Sequence, residues 1–188
     1  VLCATPFERT NFKAGFSGIK PHFDGSKNSL LDKLNMVFSY SGKYIQNPDY
    51  LNRSLFDTIG GYLSFYVIPH NYLRLFEFLD WNEEEVNQTL IEEYGWETSP
   101  ETPSTWRIDD GTVPLSDYMY YMMSGLTIND TFRSNQIREG LMTREEALSL
   151  GNQENQPRFK AIQWYCEIIG ADFEKTIKII NKAPRIYG

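Results

Sequence analysis

The sequence has little of what usually carries catalysis or metal binding. Among 188 residues there are two histidines, His22 and His70, and two cysteines, Cys3 and Cys166. Neither cysteine belongs to a C-x-x-C pair or stands beside a histidine, so neither a zinc site nor a disulfide framework has support. Cys166 shares a helix face with Ile162 and Ile169 and reads as a small core residue. No serine or cysteine nucleophile signature accompanies the histidines, which leaves a hydrolytic triad without basis. No apolar run approaches the roughly 20 residues of a bilayer span, and no basic-then-apolar leader opens the chain. The sequence therefore reads as soluble and cytoplasmic, with no membrane partner. Cationic excess is missing too. Lys and Arg number 18 against 25 Asp and Glu, a net charge of −7. That balance opposes a nucleic-acid partner, including a helix-turn-helix reading of residues 128–150. Finally there is no G-x-x-x-x-G-K-[ST] loop, no dinucleotide glycine fingerprint and no SGGxDS pyrophosphate loop. Phe16-Ser17-Gly18-Ile19-Lys20 is too short to stand for any of them.

What is present is enough for a core. Hydrophobic residues make up 41% and aromatics 15%, so most of the length is expected to fold. Residues 1–28 carry Gly15, Gly18, Pro21 and Gly25 without apolar periodicity and read as an arm, with VLCA as the end of a strand. The chain opens at Val1 and reads as the later part of something longer. Phe7, Phe12 and Phe16, threaded among Glu8, Arg9, Asn11 and Lys13, suit a loop lying over a site. Residues 29–188 read as one helical domain.

Leu30, Leu34, Val37, Phe38 and Ile45 follow helical spacing. Asn47-Pro48 is expected to cap a helix with Leu51, Leu55, Ile59 and Leu63 on one face, ended by Pro69. Gly60-Gly61 inside it suggests close approach of another backbone. Asn82-Glu83-Glu84-Glu85 resembles a capping box for a helix closed by Gly95. After a Pro/Ser/Thr linker at 97–105, Pro114 opens a helix carrying Tyr118, Met119, Met122 and Met123. Thr127 and Asp130 start another, closed by Gly140, and Thr143-Arg144-Glu145-Glu146 is a capping box. The last two helices carry Phe159, Ile162, Cys166 and Ile169, then Phe173, Ile177 and Ile180, on their inner faces. The expected fold class is all-α, an irregular array of about seven to nine helices with an extended N-terminal arm.

The polar residues that packing does not require gather between Ser104 and Leu150. Asp109-Asp110-Gly111 places adjacent carboxylates before a glycine, a pattern that can ligate Mg²⁺ on a phosphate or orient an amine; it is also an ordinary turn. Arg107 just before it offers a planar fork for carboxylate or phosphate. On the next helix Arg133 and Gln136 are three apart, while Ser134 and Arg138 are four apart. That set could hold an anion or a polar sugar. The alternative is a solvated face with Asp130 and Glu139 as ion-pair partners.

Glu93-Tyr94-Gly95-Trp96-Glu97, Ser104-Thr105-Trp106 and Gly140 to Leu148 (GLMTREEAL) resemble the C-terminal helical region of N-acetyl sugar amidotransferases. These are asparagine-synthase-like PP-loop ATP pyrophosphatases of surface-polysaccharide biosynthesis. Residues 47–54 and 68–73 are also similar to members of that group, so the resemblance spans roughly 47–184. It implies a ligase that uses ATP and Mg²⁺, both bound mainly by an upstream PP-loop domain of α/β fold, in the same or a separate chain. It implies adenylation of a carbonyl on a small-molecule acceptor and C–N bond formation with ammonia from a glutaminase subunit. Carried onto this chain, Asp109 and Asp110 take catalytic roles, while Arg107, Arg133, Asn135, Gln136 and Arg138 bind substrate or pyrophosphate, with no metal site of the chain's own. The rival expectation is a non-catalytic helical interaction or regulatory domain, motivated by the Met/Tyr run at 118–123. Homo-oligomer formation is left open.

Overall fold

The computed structural model describes residues 12–19, 29–69, 71, 73, 75–97 and 111–187. Among these residues the chain is all-helical, with eight α-helices and no strand. None is long and apolar enough to cross a membrane. The strand expected at VLCA lies outside the described residues, as do His22 and His70. Contacts group the chain into two compact units, with described residues 12–73 in the first and 75–187 in the second.

The first unit is built on α1 (Leu30–Gln46). Ser29 and Asp32 form a reciprocal capping box at its start, at 3.1 Å and 2.9 Å, which satisfies two otherwise orphaned N–H groups. A 3₁₀ turn, Phe12–Ser17, lies against α1, where Lys43 Nζ donates to the Phe16 carbonyl at 3.0 Å. This is the described part of the expected arm, and Phe12 in it is buried. The helix expected to begin at Asn47-Pro48 begins later. Pro48–Tyr50 closes a separate 3₁₀ turn, and α2 (Ser54–Tyr62) starts where Asn52 Oδ1 accepts from the Ser54 N–H at 2.9 Å. An Asn side chain bonded two residues on makes a turn of its own, and this one competes with helix between Tyr50 and Ser54. After Tyr62 the chain widens into a π-turn, Leu63–Val67, closed by the Ile68 N–H on the Leu63 carbonyl at 3.0 Å. The suggested close backbone approach at Gly60-Gly61 is not found: nothing stands within 4 Å of where either Cβ would be. Nor does the apolar periodicity of α1 mark its buried side. Met36 is buried, while Leu30, Leu31, Phe38 and Ile45 are exposed.

The second unit holds α3 (Glu83–Tyr94), α4 (Val113–Ser124), α5 (Ile128–Arg138), α6 (Arg144–Glu154), α7 (Phe159–Ile169) and α8 (Phe173–Lys182). Helix α4 packs on α7 and α8, and α5 packs on α6. The core of the first group is Tyr118, Ile162, Cys166 and Ile180, with Phe173 and Ile177 against it. Ile162 and Cys166 are 0% exposed, and removing a side chain the size of Ile162 from water contributes about 1.5–3 kcal/mol. Two expected inner positions differ: Phe159 and Ile169 are exposed, although the Phe159 ring still meets Tyr118 at 5.4 Å and Phe173 at 6.4 Å. Tyr118 also donates its hydroxyl to Asn181 Oδ1 at 2.7 Å, fixing α4 to α8. Helix α7 stops at Gly170, whose φ of 69° lets the Ala171 N–H return to the Cys166 carbonyl at 2.8 Å.

Candidate functional site

Reciprocal capping boxes start α5 and α6, from Thr127 with Asp130 and from Thr143 with Glu146. Because α6 returns alongside α5, the start of one meets the end of the other. Thr127 Oγ1 lies 2.5 Å from Asn155 Oδ1, and Asn155 Nδ2 donates to Asp130 Oδ1 at 2.8 Å. The hairpin places mid-helix Arg133 beside Glu154, the last residue of α6, and beside Glu83, the first residue of α3.

Arg133 is 3% exposed, and every N–H of its guanidinium has a protein acceptor. Nε and Nη2 bind Glu154 as a fork at 3.1 Å and 2.5 Å. Nη1 donates to Glu83 Oε2 and to Gln136 Oε1 at 2.8 Å, and Nη2 also reaches Glu83 Oε1 at 3.5 Å. Gln136 Nε2 completes the ring by donating to Glu83 Oε2 at 2.9 Å. Burial alone would lower the Arg133 pKa; hydrogen bonds and charge from Glu154 and Glu83 outweigh it and raise the pKa above its ordinary value. One guanidinium facing two carboxylates gives the trio a formal charge of 1 − 2 = −1. Phe132, buried next to Arg133, meets Trp81 edge-to-face at 5.8 Å and closes the cluster on its apolar side.

The helix dipole makes the two carboxylates unequal. Glu83 stands at the positive start of α3, where an anion is favoured, whereas Glu154 stands at the negative end of α6. Glu154 is therefore the group that most needs Arg133. As arranged, the cluster ties the start of α3 and the end of α6 to the middle of α5 and offers no guanidinium donor to a phosphate.

The other positions singled out in the sequence separate. Arg138 is exposed on the last turn of α5, and its Nη1 donates to Asn135 Oδ1 at 2.6 Å. Arg107, Asp109 and Asp110 lie outside the described residues. Gly111, which follows them, is described: a Cβ there would come within 2.8 Å of the Trp164 ring and 3.3 Å of Tyr165, so the turn needs glycine for space beside α7. The expected ion-pair partners of the arginines, Asp130 and Glu139, are not those found. Asp130 caps α5, and Arg133 pairs with Glu83 and Glu154. A second buried pair, Arg158 with Asp117 at 3.0 Å, joins the start of α7 to α4. Sequence reading missed Glu83, Glu154 and Asn155. Glu83 was visible only as part of an acidic first turn, and Glu154 gives no local signal 21 residues from its partner.

Among the described residues no group of three or more His, Cys, Asp or Glu side chains is placed to hold a metal ion. The acidic pair at 109–110, the sequence's candidate for Mg²⁺, lies outside the described residues. No family model, no curated protein and no solved structure matches this chain.

Proposed function

We propose that the chain is the helical part of an ATP-dependent, asparagine-synthase-like amidotransferase. In this reading it covers a nucleotide gripped by a PP-loop domain, in the same polypeptide or in another. The observation that most supports it is the uncharged stripe on α1. Leu31, Leu34, Phe38 and Ile45 recur at helical spacing, and Phe38 and Ile45 are 73% and 76% exposed. A contiguous apolar face of this kind marks a surface built to meet another protein surface.

The reaction class is C–N ligation. A carbonyl oxygen of the acceptor, a small molecule of surface-polysaccharide synthesis, attacks the α-phosphorus of ATP and pyrophosphate leaves. Ammonia, delivered by a glutaminase subunit, then adds to the carbonyl carbon and AMP departs. Mg²⁺, when bound, offsets charge on the leaving pyrophosphate. Asp109 and Asp110 would orient that end of the substrate, and Arg107, Asn135 and Arg138 would meet its oxyanions. Arg133 and Gln136, already engaged with Glu83 and Glu154, act as positioning residues that hold α5.

One finding favours the second reading, a non-catalytic interaction domain: the most buried arginine is wholly engaged inside the protein. Asp110→Ala and Arg138→Ala separate the two readings. With the nucleotide-holding domain present, the enzyme reading expects pyrophosphate release to fall on the order of 10²-fold with helicity unchanged. Unchanged turnover together with lost partner binding would establish the interaction domain instead.

A further inference from the structure

We propose that the groove between α1 and α2 is a binding site for an aromatic small molecule that carries no positive charge. The groove lies within the first unit and has a volume of about 570 Å³, within the range of about 300–1,000 Å³ that ligand pockets occupy. Its walls are four tyrosines: Tyr40 and Tyr44 from α1, Tyr62 from α2 and Tyr66 from the π-turn; Met36 and Gly61 also line it. No lining residue is Asp, Glu, Lys, Arg or His. Lys43 Nζ stands 5.5 Å from the Tyr40 ring centroid and no carboxylate lines the groove, so a cationic ligand would lose its hydration there with no counter-ion to replace it.

The tyrosines present rings more than hydroxyls. Tyr62 Oη donates to the Lys33 carbonyl at 3.1 Å, and Tyr44 Oη donates to Thr58 Oγ1 at 3.4 Å. Tyr62 and Tyr66 stand with ring centroids 5.1 Å apart, tilted by 36°. Lys33 Nζ donates to the Tyr66 carbonyl at 2.9 Å and so pins the π-turn to α1. Burial, followed by the neighbouring Tyr40 and Tyr62, raises the Tyr66 pKa. Aromatic faces at this spacing favour a planar ring in offset or edge contact.

The π-turn that ends α2 ahead of Pro69 brings Tyr66 to the groove wall. Glycine at 61 weakens the helix, and no close contact offsets the loss, because nothing stands within 4 Å of its missing Cβ. Gly61 faces the groove, so the absent side chain keeps it open. Gly60 has the same free space but is not among the residues lining the groove, which makes it the matched control.

The test titrates the 188-residue chain with N-phenyl-1-naphthylamine, an uncharged two-ring aromatic whose fluorescence rises on leaving water. Gly61→Leu fills the groove and Gly60→Leu does not, and both replace glycine by a better helix former. The expected result is saturable binding that Gly61→Leu weakens about tenfold or more and Gly60→Leu leaves within about twofold. Circular dichroism of both variants verifies that helicity is retained. Non-saturable binding or equal binding by both variants overturns the proposal.

Discussion

In residues 75–187 the helices meet through buried groups that need one another: Arg133 with Glu83 and Glu154, Thr127 with Asn155, Tyr118 with Asn181, and a closed apolar core around Ile162 and Cys166. In residues 12–73 the described contacts include Lys33 on the Tyr66 carbonyl, Lys43 on the Phe16 carbonyl and Tyr44 on the Thr58 hydroxyl, and Leu30, Leu31, Phe38 and Ile45 of α1 are exposed. The second unit has the means to hold itself. The first leaves apolar side chains of α1 exposed, and the proposed function assigns that face to a partner surface.

The sharpest way to break this contrast is Arg133→Ala. Removing the guanidinium leaves two buried carboxylates without their cation, and the loss should be about 3–5 kcal/mol in urea unfolding. A loss below about 1 kcal/mol would mean the cluster does not hold α3, α5 and α6 together. Next is a matched pair of apolar truncations. Ile162→Ala should cost about 2–5 kcal/mol by emptying the core of the second unit, whereas Phe38→Ser on the open face of α1 should stay within about 0.5 kcal/mol. Equal costs would erase the distinction between a filled core and a waiting surface. The smallest effect belongs to the α6 cap. Thr143→Ala should cost about 1 kcal/mol of stability. Hydrogen bonds from the Thr143 backbone N–H and hydroxyl lower the Glu146 pKa. That contribution is therefore present above the ordinary glutamate range and lost as pH falls through the depressed value. Wild type should therefore be more stable than Glu146→Gln at neutral pH, with the difference shrinking as pH falls through the depressed Glu146 value; a difference confined to the acid end would contradict the assignment.

Local chemistry was legible wherever the signal lay within a few residues. The capping boxes at Thr127 and Thr143, the stops at Gly95 and Gly140, and the core set Ile162, Cys166, Phe173, Ile177 and Ile180 were readable because caps and helical periodicity are local. So was the Arg133–Gln136 contact at i, i+3. The destination of Arg133 was not. Its partners come from 50 residues before and 21 residues after, and only the pairing of helix ends brings them together. The start of α2 was misplaced because Asn47-Pro48 has the composition of a helix start, while Asn52 in fact supplies the turn. The apolar stripe of α1 shows a further limit: periodicity locates an apolar face without saying whether this chain or another surface covers it.

The most direct test of the proposed division of labour is pyrophosphate release from ATP in the presence of ammonia and acceptor. It should be measured on the 188-residue chain alone and again with a nucleotide-holding PP-loop domain supplied. The account predicts no release by the chain alone and release once the two are combined. Pyrophosphate formed by the chain alone, or none formed by the combination, would contradict it.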